Sequence, residues 1–199
     1  WRADHVLLNG TDLILKASKF NNNTMYCGSV DSRNKFEPLY GYLEARIDNA
    51  DIQKAVHTAF WMQGINQGNV DGTGNDGCEV DIFESAFNNG AHTQSTLHWD
   101  GYNPAIKKAW TKHWDNVGQF GANIHQGYHI IALEWTPTTL SFYYDGKKRF
   151  EYEGVAIPLV KEWLWLSVGA SFGDGNFLSR PIGELTAAKV DWIRVYKKK

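Results

Sequence analysis

One apolar segment holds three carboxylates within six residues: Glu79, Asp81 and Glu84. Like charges this close resist ionising together, and acidic residues are poor strand formers, so their placement indicates chemistry. A retaining glycosidase needs two carboxyl groups about 5–5.5 Å apart, one as a nucleophile and one as an acid that later becomes a base. An aspartate between them would keep one glutamate protonated near neutral pH. A solvated acidic strand face and a calcium site are the alternatives at this point.

The segment is predicted to be a strand, but strand parity alone does not bring the three acids together. Alternation places Glu79 and Asp81 on one face and Glu84 on the other. One extra residue at Ile82-Phe83, a β-bulge, would restore the parity and turn Glu84 toward the other two acids. Both apolar residues are then expected to face the core, and on a concave sheet the two glutamates would converge.

The rest of the chain is predicted to consist of short strands. Tight turns are expected at Asp145-Gly146, Asn89-Gly90 and Gly173-Asp174-Gly175, the first of them in a hairpin. Residues 102–114 are the best candidate for a helix, which Pro104 interrupts. The pattern predicts an antiparallel sandwich or jelly roll, with strands at residues 12–17, 25–32, 40–48, 57–62, 79–84, 94–99, 128–135, 139–144, 163–169 and 188–196.

The composition excludes several classes of function. The 199 residues are 43% apolar and 21% charged, which excludes a disordered chain and fits one domain. Twenty basic against 22 acidic side chains give a net charge of −2, so no nucleic-acid partner is expected. No apolar run approaches the ~20 residues that cross a bilayer, so no membrane association is expected. Nine Trp, nine Tyr and ten Phe indicate exposed rings for flat ligands such as sugars.

The only two cysteines are Cys27 and Cys78. Two thiols cannot form a zinc site alone, so the choices are one disulfide or two free thiols. Acceptor patterns for glycosylation at Asn9-Gly10-Thr11 and Asn22-Asn23-Thr24 favour an extracellular protein and, with it, the disulfide. The disulfide between Cys27 and Cys78 is the prediction, since it would link the acidic strand to an earlier one.

The acidic segment resembles the signature of glycoside hydrolase family 16, Glu-x-Asp-x-x-Glu with the one-residue bulge of its laminarinase-like and galactanase-like branches. Other stretches are similar to that family, in its order and along nearly the whole chain. They are Asn9-Gly10 before residues 13–15, residues 32–36 before residues 40–46, Ala59-Phe60-Trp61-Met62, residues 128–135, residues 142–146 and residues 190–196.

The resemblance implies one catalytic domain over residues 1–199, a concanavalin A-like jelly roll whose concave face binds a polysaccharide. It implies that Glu79 is the nucleophile, that Asp81 hydrogen-bonds and tunes it, and that Glu84 is the general acid/base. The implied enzyme is secreted, monomeric, endo-acting and retaining, and it needs no cofactor for catalysis.

The resemblance also implies residues that bind the substrate. Trp61 is expected to stack on a sugar ring and Arg33 to reach into the cleft. The strand pattern itself adds His98 and Trp99, which end a strand predicted to lie beside the acidic one, and His98 is expected to hydrogen-bond a carboxylate or a sugar hydroxyl. The alternatives are a core tryptophan for Trp61, a histidine satisfied by its neighbours for His98, and an ordinary exposed arginine for Arg33. Four further tryptophans in apolar strands are expected in the core: Trp135, Trp163, Trp165 and Trp192.

A structural calcium ion is a further implication of the resemblance. Asp191 resembles the side-chain ligand of a calcium ion that many members bind on the convex side, and the Gly10 carbonyl is its expected partner. Calcium prefers six to eight oxygen ligands, so this pair would need others.

The approach to the acidic segment departs from the family pattern. Laminarinase-like members carry a Trp-Pro pair shortly before the signature, whereas residues 72–78 here read Gly-Thr-Gly-Asn-Asp-Gly-Cys. A β-glucan cut at β-1,3- or β-1,4-linkages, such as laminarin or mixed-linkage glucan, is the predicted substrate. A galactan of the agar, porphyran, carrageenan or mucin-glycan type is the alternative. A carbohydrate-binding jelly roll without hydrolysis and a polysaccharide lyase are the competing functions.

Overall fold

The computed structural model describes residues 1–51, 56–87, 92–115, 124, 126–170 and 179–197. Within these ranges a 3₁₀ turn at Ala3–His5 precedes fourteen strands. They are β1 (Val6–Leu8), β2 (Leu13–Asn21), β3 (Thr24–Cys27), β4 (Ser29–Asp31), β5 (Gly41–Asp48), β6 (Val56–Gln63), β7 (Glu79–Phe87), β8 (His92–Trp99), β9 (Lys108–Asp115), β10 (Tyr128–Trp135), β11 (Leu140–Tyr144), β12 (Lys147–Tyr152), β13 (Trp163–Ala170) and β14 (Gly183–Tyr196).

The strands form two antiparallel sheets. One has eight strands in the order β1-β2-β14-β5-β10-β11-β12, with β3 also paired to β2. The other has six strands in the order β4-β13-β6-β7-β8-β9. The predicted all-β sandwich is therefore confirmed. The part of the chain that the structure describes contains no helix long and apolar enough to cross a membrane.

The core lies between the inner faces of the two sheets. Alternate residues of β5, namely Leu43, Ala45 and Ile47, are fully buried, while their neighbours along the strand are only half-buried. Phe83 of β7 meets Tyr144 of β11 from the opposite sheet, with ring centroids 6.0 Å apart. Each large apolar side chain buried in this way stabilises the fold by roughly 1.5–3 kcal/mol.

The predicted hairpin at Asp145-Gly146 joins β11 to β12. Both turn residues have positive φ, 47° and 73°, which matches the twist of the flanking strands. The Asp145 carboxylate also accepts the backbone N–H of Ile130 and contacts His129 Nδ1, both at 2.8 Å. The turn is thereby tied to β10. The other two predicted turns, at Asn89-Gly90 and Gly173-Asp174-Gly175, lie outside the described residues.

The best helix candidate, residues 102–114, does not form a helix. Asn103 begins a turn in which its carbonyl accepts the N–H groups of Ile106 and Lys107, and Pro104 lies inside that turn. The chain then continues as β9, which pairs with the whole length of β8. A helix leaves backbone N–H and C=O groups without hydrogen-bond partners at its two ends. Pairing along a complete neighbouring strand supplies those partners instead.

The predicted strand at residues 25–32 is two strands, because the chain changes sheet at Gly28. Before it, β3 pairs with β2 in the eight-stranded sheet, and after it β4 pairs with β13 in the six-stranded sheet. A Cβ atom at Gly28 would lie 2.3 Å from the carbonyl oxygen of His5, so the crossing requires glycine.

The predicted disulfide is wrong, because both cysteines are free and buried. Cys27 ends β3 in the eight-stranded sheet, whereas Cys78 directly precedes β7 in the other sheet. The Cys78 sulfur faces β8 and lies 3.2 Å from the backbone oxygens of Glu79 and His98. Burial raises the pKa of Cys27 to about 11 and that of Cys78 well above its usual value.

Candidate functional site

The three acids of β7 lie on one face, because the strand contains the predicted bulge. Five residues of β6, from Ala59 to Gln63, oppose the six residues from Glu79 to Glu84, and the register shifts at this point. Ile82 and Phe83 are consecutive and both buried, so both face the core. The bulge therefore turns Glu84 to the side of Glu79 and Asp81, which we call the outer face of the six-stranded sheet.

Burial raises the pKa of all three carboxyl groups. The pKa of Glu84 is raised to about 7, mainly by burial and further by the nearby charge of Glu79, while Gln94 opposes the rise by donating to Glu84 Oε2 at 2.9 Å. The pKa of Asp81 is raised well above its usual value by burial and by both glutamates. Burial also raises the pKa of Glu79, against a hydrogen bond from Tyr102. The group therefore retains protons at neutral pH and does not ionise fully.

His98 of β8 lies beside two of the acids. Its Nε2 atom is 3.6 Å from Asp81 Oδ2 and 3.9 Å from Glu79 Oε1. Burial and then the charge of Lys107 lower the pKa of His98, which favours the neutral imidazole. One carboxylate oxygen of Glu79, one of Asp81 and a ring nitrogen of His98 all lie within 4.8 Å of one another. His98 was expected at this site, and the structure brings it there.

Trp99 does not share that position, and its expected role in binding is wrong. It packs in the core between the sheets with 8% of its surface exposed. Successive residues of a strand point to opposite faces, so a strand that turns His98 outward must turn Trp99 inward.

Trp61 lies on the outer face and stacks on Trp165 of the adjacent strand. The two residues are register partners, their ring centroids are 4.8 Å apart, and their planes differ by 6°. Trp1 covers Trp165 from another side, with centroids 5.2 Å apart. Trp61 is half-buried and is not a core residue, since Phe60 and Met62 on either side of it fill the core.

Two of the tryptophans expected in the core, Trp163 and Trp165, are buried, with 7% and 8% of their surface exposed, but they are buried on the outer face of the sheet. Trp163 and Trp165 alternate with Leu164 and Leu166, and only the leucines belong to the core. Both indole Nε1 atoms are buried without a hydrogen-bond partner. Trp135 is in the core, as predicted, and Trp192 is half-buried beneath the Arg194 guanidinium, 4.0 Å from it.

Arg33 covers the end of this aromatic row. Its guanidinium carbon lies 4.8 Å from the Trp163 ring and 5.5 Å from the Trp165 ring. Arg33 and Trp163 line a cavity of about 440 Å³ together with Gln63, the register partner of Glu79. Through Gln63 the cavity reaches the strand next to that of Glu79, although the three acids are not among its lining residues.

The sequence did not point to Tyr102 or Gln63. The Tyr102 hydroxyl donates a hydrogen bond to Glu79 Oε2, and Gln63 Nε2 donates to that hydroxyl at 3.1 Å. The one available signal was position, because Tyr102 follows a strand that would pair with the acidic one.

Glu162 is a second acidic residue that the sequence did not point to, and it lies behind the site. It is fully buried, and its Oε1 accepts the backbone N–H of Cys78 at 3.0 Å. Burial raises its pKa well above the usual value, and the charge of Glu79 adds to the rise. Its surroundings therefore favour the neutral acid.

The residues expected to hold calcium do not fit that ion. Gly10 and Asp191 do line one cavity, of about 390 Å³. However, Asp191 Oδ2 lies 2.6 Å from Arg46 Nη1, and the same guanidinium lies 4.2 Å from the Tyr128 ring. A bound cationic side chain already neutralises the carboxylate that the metal would need.

Comparisons with known proteins were made for the whole chain. A family model described as "Glycosyl hydrolases family 16" matches residues 1–171. A clotting factor G alpha subunit of Tachypleus tridentatus is 23% identical over an alignment of 206 positions that covers 99% of this chain and 29% of that protein. A beta-glucanase of Acetivibrio thermocellus is 22% identical over an alignment of 204 positions that covers 98% of this chain and 54% of that protein. The chain thus spans about half or less of the length of these curated relatives.

The fold is shared with solved structures. A family 16 enzyme from the mixed linkage glucan locus of Bacteroides ovatus, in complex with its G4G4G3G product, superposes with a TM-score of 0.78 at 22% identity. The match covers 98% of this chain and 86% of that chain. The two sheets described above are therefore those of a jelly roll.

Proposed function

The chain belongs to glycosyl hydrolase family 16, and on that premise we propose that residues 1–199 form one catalytic domain that hydrolyses internal β-linkages of a polysaccharide. The observation that carries the proposal is the bulge of β7, which turns Glu84 to the same face as Glu79 and Asp81. A carbohydrate-binding module has no need of three buried acids on its binding face.

The proposed mechanism is double displacement with retention of the anomeric configuration. Ionised Glu79 attacks the anomeric carbon while the glycosidic bond breaks, and Glu84 gives its proton to the leaving oxygen. A water then attacks the same carbon, Glu84 takes a proton from that water, and the carboxylate of Glu79 is released. A pKa of about 7 for Glu84 suits both of these proton transfers.

Asp81 and His98 support this division of roles. Burial and the two glutamates raise the pKa of Asp81 well above its usual value, which favours its protonated form. A protonated Asp81 leaves Glu79 as the ionised member of the group, which a nucleophile requires. Burial lowers the pKa of His98, which favours the neutral imidazole beside these acids.

The proposed substrate is a β-glucan such as laminarin or mixed-linkage glucan, bound against the half-buried ring of Trp61 on the outer face. A flat indole ring fits the apolar face of a glucose ring, and Arg33 supplies hydrogen-bond donors in the neighbouring cavity. A galactan of the agar, porphyran, carrageenan or mucin-glycan type is the second candidate, favoured by the missing Trp-Pro pair before Cys78. We further propose that the domain is secreted and acts as a monomer.

The test is hydrolysis by Glu79→Gln and Glu84→Gln variants on a panel of laminarin, mixed-linkage glucan, agar, carrageenan and mucin glycans. Each variant is expected to lose at least 10²–10⁴-fold in the rate at which reducing ends are released. The matched control is Glu134→Gln, because Glu134 also accepts a tyrosine hydroxyl, that of Tyr143, but lies in the other sheet.

Proton NMR of the first products reports the anomer, and the β-anomer is expected. Undiminished turnover in either site variant would contradict the mechanism. Tight binding of an oligosaccharide that stays intact would favour the binding module, and ultraviolet-absorbing unsaturated products would favour a lyase.

A further inference from the structure

We infer that Tyr102 is a positioning residue, which holds Oε2 of Glu79 through its hydroxyl and leaves Oε1 as the atom that attacks the sugar. The inference rests on the proposed function, because it assigns an attacking atom to the proposed nucleophile. It adds a residue to the site that lies outside the acidic segment.

The two oxygens of Glu79 have different surroundings. Oε2 accepts the hydroxyl of Tyr102, and Gln63 donates to that hydroxyl from β6. Oε1 has His98 Nε2 at 3.9 Å, which is beyond hydrogen-bond distance. Among the described residues no hydrogen-bond donor reaches Oε1, so its lone pairs are left for the anomeric carbon and Oε1 is the better nucleophile.

The backbone brings Tyr102 over the acidic strand by a sharp reversal after β8. Asp100 and Gly101 both have positive φ, 61° and 73°. The buried Asp100 carboxylate accepts the N–H groups of Asp71 and Gly72 at 3.2 and 3.0 Å. A non-glycine residue at positive φ costs about 1 kcal/mol or more, and the fold retains it where surrounding contacts over-determine the position.

Tyr102 contributes little to the core. About half of its surface is exposed, and the partners of its hydroxyl are Glu79 and Gln63. Removing the hydroxyl is therefore expected to change the site without unfolding the protein.

Several titratable groups surround Glu79, on its own strand, on β8 and in the segments that flank β7, β8 and β13. Within the described part of the chain, the hydrogen bond from Tyr102 is the one that stabilises the ionised form of Glu79, while burial opposes ionisation. The other titratable or charged groups nearby are Asp81 and Glu84 on β7, Cys78 before it, His98 on β8, Lys107 after it, and Glu162 before β13.

The hydrogen bond acts in both chemical steps. In the first step it keeps Glu79 ionised, so that Oε1 forms the bond to the anomeric carbon. In the resulting ester Oε2 is a neutral carbonyl oxygen, and it regains negative charge when water displaces the carboxylate. A donor on Oε2 stabilises that charge as it develops, so Tyr102 accelerates the second step.

The test compares Tyr102→Phe with Tyr143→Phe, which removes the same kind of tyrosine–glutamate hydrogen bond from the other sheet. The carboxyl carbons of glutamate are labelled with ¹³C, the Glu79 signal is assigned with Glu79→Gln, and the signal is titrated with pH. The pKa of Glu79 is expected to rise by about one unit in Tyr102→Phe and to stay unchanged in Tyr143→Phe.

Kinetics on laminarin or mixed-linkage glucan supply the second readout. For Tyr102→Phe we expect kcat to fall about tenfold or more with less than a twofold change in KM, and the acid limb of kcat/KM to move to higher pH. Gln63→Leu is expected to cause smaller changes in the same direction, and it replaces Tyr102→Phe if that variant loses its near-ultraviolet circular dichroism.

The outcomes separate this inference from the proposed function. An unchanged pKa of Glu79 in Tyr102→Phe would overturn the inference even if the enzyme hydrolyses glucan. A raised KM with unchanged kcat would also overturn it, because Tyr102 would then bind sugar. If the pKa of Glu79 shifts in Tyr102→Phe but the wild-type protein hydrolyses no polysaccharide, the positioning role of Tyr102 is supported and the proposed function is refuted.

Discussion

Gln94 of β8 donates a hydrogen bond to Glu84 Oε2 across the strand pair, at 2.9 Å. Burial alone would raise the pKa of Glu84 further, and this single donor opposes the rise by stabilising the carboxylate. The neighbouring strand therefore sets the pH at which the proposed acid holds its proton.

Replacing Gln94 with leucine is expected to raise the pKa of Glu84 above its value of about 7, because the ionised form loses its donor. The alkaline limb of kcat/KM should move to higher pH by about one unit, which is the effect of losing a hydrogen bond to a charged group. The measurement is a pH–rate profile on laminarin. Gln126→Leu, at an exposed turn position, is the control, and an alkaline limb that stays in place would contradict the prediction.

Glu162 makes the stability of the protein depend on pH. Its folded pKa lies well above the unfolded value near 4.5, so the folded state binds the extra proton between the two. Its contribution to stability is complete below pH 4.5 and is lost as the pH rises toward the folded pKa.

Glu162→Gln removes this contribution, so the variant should lose less stability than the wild type between pH 4 and pH 7. The quantity to compare is the Tm of the variant minus the Tm of the wild type. This difference is expected to be about 3 °C more positive at pH 7 than at pH 4. Thermal melts at several pH values measure this. Glu153→Gln, at an exposed position, is the control, and parallel curves for all three proteins would refute the prediction.

The two cysteines are expected to react as thiols. Titration of the denatured, unreduced protein should find two reactive groups, whereas the folded protein should react slowly, because both sulfurs are buried and their pKa values are raised. Fewer than two reactive thiols after denaturation would support the disulfide between Cys27 and Cys78. A Cys27→Ala variant, expected to show one thiol, calibrates the count.

Calcium is expected to leave the stability unchanged, because Arg46 already neutralises Asp191. The Tm with chelator and with added calcium should agree within about 1 °C. Arg46→Met should destabilise by about 1 kcal/mol through loss of a half-exposed ion pair and a cation–π contact. Lys189→Met, whose ammonium group lies 3.5 Å from Asp48 in an exposed ion pair, should have no measurable effect. A calcium-dependent rise in the wild-type Tm would contradict this account.

Much of the fold could be predicted because strand patterns are local. The bulge of β7 follows from one segment, since three acids and two adjacent apolar residues satisfy burial only if an extra residue is inserted. The hydrophobic pattern did not predict which side chains face the core where both faces of a strand are apolar. In β13, Trp163 and Trp165 alternate with leucines, and hydrophobicity alone cannot tell which of the two sets faces the core. The same ambiguity led to the wrong role for Trp99.

The sequence by itself predicted that Glu79, Asp81 and Glu84 share a face, because strand parity and the one inserted residue that corrects it are both properties of consecutive residues. Only the tertiary structure decided which groups control their protons. Gln94, Tyr102 and Glu162 reach the site from other strands and loops, and burial and hydrogen bonding, which shift a pKa, act through space. The separation of Cys27 from Cys78 and the pairing of Arg46 with Asp191 were likewise decided by which strands become neighbours.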